Sequence, residues 1–466
     1  MKGILVRALL NKHLGEERQL KSMKWKTAFL SALLVSSSLY VAPTGMFEQQ
    51  AVQAAPGKSG AAFDQKVISR IDQERMYEDV YYLSETIGPR VAGTDAEKET
   101  AQFLKERLES YGYDVEMQEF DIPDLVVGHL HTDSGDVLIN IPSGSAATAD
   151  EGVTAPLYDA GLGYPTDFSN DTAGKIALIE RGGITFAQKV TNAYAAGAVG
   201  VLIYNNIDQA GPLNPSLGGT EMPIPVGGIT KASGEALKTD VLANGGEVTL
   251  SVQAFEGATS ENVIATRAPK KGGTDGIVHV TAHYDSVPFA AGASDNASGT
   301  AVALEIARVL KSYPIDQEVR FVFVGAEEIG LLGSRYYVNQ LSEDEVAQSV
   351  GNFNMDMVGT SWDNATAIYL NTVDGLPNIV TDTAQATGER IGTPSELILF
   401  QRGASDHVPF FEAGIPAANF IRREPGTANL EPYYHTPLDT IEFISAERLK
   451  EAGDLVGASV YQLIRK

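Results

Sequence analysis

The chain has 466 residues, of which 43% are hydrophobic, and its formal net charge is -25. This composition supports a buried core and excludes a disordered chain, and the excess of acidic residues argues against nucleic-acid binding. The absence of cysteine excludes disulfides and thiolate chemistry, so a metal ion can be bound only through His, Asp and Glu.

The N-terminal segment has the layout of a secretory signal peptide. Residues 1–22 are interpreted as an N-terminal extension. After them, basic residues precede the apolar run Ala28–Ala42, which is too short to span a bilayer comfortably, and Val52–Ala55 supplies small residues for cleavage. We therefore predict a signal peptide at residues 23–54 and a secreted protein without a membrane anchor after cleavage. A buried helix is the alternative interpretation of the apolar run.

Residues 64–133 are predicted to form the first part of the main domain. Ala96–Tyr111 carries apolar residues at helical spacing, and Gly112 is a typical residue for ending a helix. Val115–Phe120 alternates apolar and polar residues as a strand does.

Residues 134–256 change in composition and are predicted to form an inserted β/α domain. Predicted elements are a strand at Gly174–Ile179, a helix at Phe186–Ala196 and a strand at Val199–Tyr204. The stretch GKIALIERGGITFAQKVTNAYAAGAVGVLIYNN resembles the protease-associated domain, and an unrelated α/β insert is the alternative.

Residues 257–466 are predicted to form the second, larger part of the main domain. Strands and helices alternate along this region, with strands at Gly276–Ala282, Glu318–Val324, Asn352–Asp356, Ala367–Asn371 and Ala417–Ile421, and helices at Ser298–Lys311 and Ala446–Ile464. This alternation predicts an α/β fold with a mostly parallel central sheet and helices on both faces.

Five short segments of this region carry side chains that bind metal ions. They contain His283 and Asp285, Asp295, Glu327 and Glu328, Asp356, and His435. In an open α/β sheet, ligands bind beyond the carboxyl ends of the strands, and three of these segments follow predicted strands. Two imidazoles and three carboxylates suit two Zn²⁺ ions that share one bridging carboxylate, which leaves a glutamate and an aspartate for proton transfer. The sequence therefore predicts a metal-dependent hydrolase.

The same segments carry a resemblance to a known family. AHYDS, GASDNASG, GAEEIGLLGS, NMDMVG and YHTPLDT resemble, in order and spacing, motifs of the secreted bacterial two-zinc aminopeptidases. With the inserted domain, the plan is similar to that of the double-zinc aminopeptidases of bacilli. The resemblance implies the zinc aminopeptidase fold, two zinc ions per chain, and hydrolysis of the N-terminal bond of peptides that have a free N-terminus.

The resemblance also implies a role for each metal-binding residue. His283 and Asp356 would bind one zinc ion, Glu328 and His435 would bind the other, and Asp295 would bridge both.

Three further residues receive roles in catalysis. Glu327 would be the general base, and its position beside a ligating glutamate suits separate tasks for the two side chains. Asp285 would orient the ligand His283. Tyr434 would donate a hydrogen bond to the developing oxyanion, with simple packing as the alternative. The family also has a cis peptide bond after the bridging aspartate, which predicts one at Asp295-Asn296.

Two other functions are open at this point. A carboxypeptidase of the same wider clan would need basic residues for the substrate carboxylate, and Arg402, Arg422 and Arg423 are the candidates. A non-catalytic, receptor-like binding protein would be expected to have lost part of the ligand set.

Overall fold

Two eight-stranded sheets organise the chain in the computed structural model, which describes residues 58–208, 211–269, 273 and 275–465. The predicted extension at residues 1–22 and signal peptide at residues 23–54 lie outside these ranges. No helix within the described ranges is long and apolar enough to cross a membrane.

Strands and helices mostly alternate after residue 298, whereas the strands between residues 114 and 159 follow one another without an α-helix. The strands are β1 Asp114–Asp121, β2 Leu125–Thr132, β3 Gly135–Val137, β4 Ile139–Asn140, β5 Val153–Asp159, β6 Ile176–Glu180, β7 Gly200–Tyr204, β8 Val226–Ile229, β9 Glu247–Phe255, β10 Thr259–Arg267, β11 Ile277–His283, β12 Glu318–Val324, β13 Ser349–Met355, β14 Ala367–Thr372, β15 Glu396–Gln401 and β16 Ala417–Arg423. The helices are α1 Lys58–Ile68, α2 Gln73–Tyr81, α3 Asp95–Tyr111, α4 Phe186–Ala195, α5 Lys231–Ala236, α6 Gly299–Leu310, α7 Leu332–Gln340, α8 Glu343–Gln348, α9 Ile379–Ile391, α10 His407–Glu412 and α11 Ala446–Ile464.

The main sheet is parallel at its centre and has antiparallel pairs on either side of these central strands. Its strand order is β1-β10-β12-β11-β13-β16-β14-β15. The four central strands β12, β11, β13 and β16 run parallel, whereas β1 and β10 pair antiparallel, as do β14 and β16. The predicted α/β class is confirmed, and the sheet is more mixed than the alternation of strands and helices suggested.

Both faces of this sheet are buried under helices, as predicted. On one face Phe321 and Phe323 of β12 join a core that includes Leu304 of α6. On the other face Val322 packs in a second cluster with Phe410 of α10. Strand residues alternate between the two faces, so most positions of the central strands are buried. This double cover makes the sheet a rigid base for the loops at its edge.

The second sheet forms the inserted domain, and it begins earlier along the chain than the sequence suggested. Its order is β3-β2-β9-β5-β6-β7-β8-β4. Strand β2, at Leu125–Thr132, lies in this sheet because it pairs with β9, so the sheet starts before the expected boundary at 133/134. The pairs β1–β10 and β2–β9 follow one another, and Ile122 N donates to Ala258 O between them at 3.0 Å. A two-stranded ribbon thus connects the two sheets.

Candidate metal centre

Three parallel strands bring metal-binding side chains to one edge of the main sheet. His283 is the last residue of β11, and Asp356 follows directly after β13. Glu327 and Glu328 come shortly after the end of β12. Because β12 and β13 flank β11 in parallel, these carboxyl ends lie side by side.

The described residues contain two clusters with metal-ligand geometry, and one aspartate belongs to both. His283, Asp295 and Asp356 form one cluster, and Asp295, Glu328 and His435 form the other, with the ligand atoms of each within 4.8 Å of one another. Asp295 Oδ1 lies 3.2 Å from His283 Nε2, and its Oδ2 lies 3.1 Å from His435 Nε2. Asp295 therefore has the position of a bridging ligand, with one oxygen for each cluster.

The ligand atoms point to shared centres rather than to one another. His435 Nε2 lies 3.0 Å from Glu328 Oε2, yet it has no hydrogen-bond partner among the described residues. The same is true of the buried atoms Glu328 Oε1 and Asp356 Oδ1. Buried polar atoms are normally paired, so this group of unpaired atoms fits cations. Two imidazoles and three carboxylates are a donor set that zinc accepts.

The carboxylates of the site also favour positive charge nearby. Burial lowers the pKa of His283, but Glu327 and the neighbouring aspartates outweigh it and raise that pKa well above its usual value. At His435 burial also lowers the pKa, but Asp295 and Glu328 outweigh it and raise the pKa to about 10. Protons are held on the imidazoles by surrounding carboxylates, and a bound metal can replace them.

Asp285 supports two neighbouring segments of the site. Its Oδ1 accepts a hydrogen bond from Glu327 N and its Oδ2 accepts one from Glu328 N, both at 3.1 Å. Its Oδ1 also lies 3.4 Å from His283 Nδ1. Asp285 thus holds the backbone of the adjacent glutamates and lies beside the ring of one predicted ligand. It is fully buried, so these contacts are protected from water.

Glu327 has an environment that increases its affinity for protons. Burial, followed by the negative charges of Asp406, Glu328 and Asp356, raises its pKa well above the usual value, and His283 opposes this rise. General bases are most effective when their pKa lies near the working pH. Asp406, which sequence analysis did not select, is fully buried, and neither of its carboxylate oxygens has a hydrogen-bond partner among the described residues.

Tyr434 stands at the mouth of the site. Its ring stacks on the imidazole of His435 with centroids 3.9 Å apart, and it lines the same cavity as Glu327 and Asp356. Burial and the charge of Asp295 raise the pKa of Tyr434 above its usual value, so the phenol keeps its proton and can donate a hydrogen bond.

The backbone takes uncommon conformations beside the predicted ligands. Ala326, Met357 and His435 have positive φ angles of 53°, 58° and 53°. Such conformations are unfavourable for residues with a side chain and are concentrated at functional sites. The predicted cis peptide bond at Asp295-Asn296 is present. The Asn296 side chain accepts from Met357 N at 3.1 Å and so links two ligand segments.

Two buried residues that sequence analysis missed hold the loop of the bridging aspartate. Asp439 accepts hydrogen bonds from Ser294 N at 2.6 Å and from Asp295 N at 3.0 Å. Arg90 donates to the carbonyl oxygens of Tyr284, Ala291 and Gly292. Asp439 lies within the segment YHTPLDT and could have been found there, whereas nothing local marks Arg90.

Comparison with known proteins identifies the family. The family model for peptidase family M28 matches residues 262–460, and the PA domain model matches residues 153–237. The chain is 53% identical over 390 residues to aminopeptidase YwaD of Bacillus subtilis, which covers 84% of each protein. The probable lipoprotein aminopeptidase LpqL of Mycobacterium tuberculosis is 29% identical over 433 residues, with 84% of this chain and 85% of LpqL covered.

Solved structures agree with this result. BSAP, a zinc aminopeptidase from Bacillus subtilis, matches with a TM-score of 0.68 and 52% identity over 85% of this chain and 96% of that one. The aminopeptidase from Aneurinibacillus sp. strain AM-1 has a TM-score of 0.58 and 41% identity over 86% and 96% of the two chains. The fold and site define a metal-dependent hydrolase with a protease-associated insert. The chain belongs to peptidase family M28.

We predict that Asp439→Asn lowers zinc affinity by about 10–100-fold, because loss of an outer carboxylate that orients a ligand typically has this effect. The amide can accept only one of the two backbone hydrogen bonds. Chelator competition would measure the affinity, with thermal unfolding as a check on the fold. Asp374→Asn is the control, since Asp374 is exposed, lies outside the motifs and accepts a hydrogen bond from Leu376 N. Unchanged zinc affinity in Asp439→Asn would contradict the role of Asp439.

Proposed function

We propose that this chain, a metalloaminopeptidase of family M28, removes N-terminal residues from peptides with two bound zinc ions and a glutamate general base. His283 and Asp356 would hold one ion, Glu328 and His435 the other, and Asp295 both. The observation that carries the proposal is the pair of ligand clusters that share Asp295. The similarity to BSAP, itself a zinc aminopeptidase, supports the choice of metal.

Different side chains around the clusters would carry out different tasks in peptide hydrolysis. Zinc ions bound here would supply an acidified water molecule, with a pKa of ~7, and polarise the scissile carbonyl. Glu327 takes the proton of the attacking water, holds it on its carboxyl group and passes it to the leaving amine. The Tyr434 hydroxyl donates a hydrogen bond to the carbonyl oxygen as negative charge develops there. Asp285 keeps the His283 ring in place.

The acidic surroundings favour a substrate with a free amino terminus. Glu327 and Asp356 line a cavity of about 60 Å³, which is a small space that suits a single side chain. A protonated α-amine is attracted by these carboxylates, whereas an N-acetyl group carries no charge. This arrangement supports removal of one residue at a time from the amino end.

The carboxypeptidase alternative has a specific observation in its favour. Arg402 and Arg423 line the same cavity, as a site for a substrate carboxylate requires. Arg422 does not, because its guanidinium pairs with Glu451 at 2.7 Å. The receptor-like alternative has less support, since the complete ligand set and Glu327 come together.

The deciding experiment compares free with N-acetylated dipeptides. We expect leucyl dipeptides to be cleaved and their N-acetyl forms to lose at least about 100-fold in kcat/KM, because acetylation removes the charge that the carboxylates attract. Metal analysis of the same sample should give two zinc ions per chain. Faster cleavage of the acetylated substrates would favour the carboxypeptidase, and well-folded protein without metal affinity would favour the binding protein.

Glu327→Gln should keep both metals and lose turnover. Proton transfer by a positioned base contributes typically ~10²–10⁴-fold, so we expect kcat to fall to about a hundredth or less. The test is kcat on leucine p-nitroanilide together with zinc content. Glu343→Gln, at an exposed position in α8, is the matched control. A Glu327→Gln variant with more than a tenth of normal kcat would exclude this residue as the base.

We also propose that the protein is exported, on the basis of its signal-like residues 23–54. Expression of the full chain in a secreting bacterium should yield extracellular enzyme whose N-terminal sequence begins near Ala55. Replacement of Leu33 by Arg within the apolar run should retain the protein inside the cell. Full-length enzyme found only in the cytosol would refute the proposal.

A further inference from the structure

The cavity beside the metal centre has apolar walls and two arginines. Its apolar walls include Met357, which follows the predicted ligand Asp356. They also include Ile421, which lies on β16, and Leu430, which lies after that strand. Arg402 and Arg423 lie on the same lining. A substrate side chain that enters here therefore meets methylene-sized apolar surface and positive charge together.

Arg423 is a buried cation with an uncommitted donor. The residue is only 4% exposed. One Nη1 hydrogen bond goes to Ala428 O at 2.8 Å, while Nε–H has no partner among the described residues. A buried guanidinium without an ion-pair partner is destabilising, and burial and the nearby charge of Arg402 lower the pKa of Arg423, although Asp356 opposes this shift. These facts indicate that Arg423 can bind an anionic group that is not part of the protein.

Arg402 stands at the exposed rim of the same cavity. Its backbone is fixed, because Arg402 N donates to Thr372 O and Arg402 O lies 2.9 Å from His407 Nε2. No carboxylate lies within ion-pair distance of its guanidinium in the described part of the chain. Arg422 provides the contrast, since its pairing with Glu451 leaves it no role in the cavity.

The carboxylates that line the cavity do not provide a counter-charge for Arg402 and Arg423. Four carboxylates line the cavity, on Asp295, Glu327, Glu328 and Asp356. In the proposed function these carboxylates interact with two divalent cations and with the substrate amine, so they are not free to pair with the arginines. The two arginines then remain without a counter-charge, and their planar groups suit a carboxylate, which they can bind with paired hydrogen bonds.

We propose that Arg402 and Arg423 form a carboxylate-binding subsite that selects among the peptides this enzyme cleaves. The carboxylate comes either from an acidic side chain on the N-terminal residue or from the free C-terminus of a dipeptide. The inference rests on the proposed aminopeptidase function and adds its substrate class. An acidic side chain would place its methylene groups against Ile421 and Leu430 and its charge on Arg423.

Two pairs of substrates distinguish the two sources. Glutamate and glutamine p-nitroanilides differ only in the side-chain carboxylate, and Leu-Gly and Leu-Gly-amide differ only in the terminal one. We expect the carboxylate form to have the higher kcat/KM in at least one pair, by about 10-fold or more, as a charged hydrogen bond provides. Arg423→Met should reduce this ratio to about one, and Arg423→Lys should give an intermediate value.

Controls separate loss of the subsite from loss of the fold. Arg402→Gln changes an exposed residue and should lower the same ratio by several-fold even if Arg423→Met folds poorly. Arg335→Gln removes a surface arginine that pairs with Glu412 at 2.6 Å, and it should leave the ratio unchanged. Zinc content and thermal unfolding would be measured for each variant.

Two results would overturn the subsite: no preference for the carboxylate in either substrate pair, or a preference that survives both Arg402→Gln and Arg423→Met. Failure of the proposed function would look different, because the wild type would then cleave no aminoacyl substrate at all. In that case calorimetric titration of the zinc-loaded wild type and Arg402→Gln with glutamate and glutamine still tests the subsite. Equal binding of the two amino acids to the wild type, together with equal binding of Leu-Gly and Leu-Gly-amide, would reject it.

Discussion

Mutual repulsion among buried carboxylates is the constraint on which the rest of this site depends. Asp285, Asp295 and Asp356 are each at most 7% exposed, and Glu327 and Glu328 stand beside them. Charges this close and this buried raise one another's pKa values unless cations or hydrogen bonds offset them. The negative charge raises the pKa values of His283 and His435. The unpaired ligand atoms leave places for metal ions. The acids can remain together only because the surrounding fold fixes their positions.

Two aspartates that are not predicted ligands do much of this fixing, and they do it in the same way. Asp285 accepts hydrogen bonds from the successive amides of Glu327 and Glu328. Asp439 accepts them from the successive amides of Ser294 and Asp295. Each carboxylate thus holds a ligand segment by its backbone, which leaves the ligand side chain free for a metal. Carboxylates that accept two backbone N–H bonds are strongly oriented, so the ligands are set before any metal binds.

Sequence patterns predicted the elements well but not their long-range partners. Helix α11 runs over Ala446–Ile464 as its periodicity indicated, and β12 likewise begins and ends at the predicted residues. These are local features of a 3.6-residue or two-residue repeat. The placement of β2 in the second sheet depends on pairing with β9, more than a hundred residues later, which no local repeat encodes. Arg90 was missed for the same reason, because its partners are backbone carbonyls near residue 290.

The inserted domain also contacts the metal centre, in addition to its connection to the main sheet through the two-stranded ribbon. Gly211 has a φ of +77°, and a Cβ atom at that position would lie 3.3 Å from the carbonyl oxygen of His435. Glycine both adopts this conformation without strain and lets the two backbones approach closely. His435 itself has a positive φ of 53°. The backbone of a predicted ligand therefore lies directly against the inserted domain.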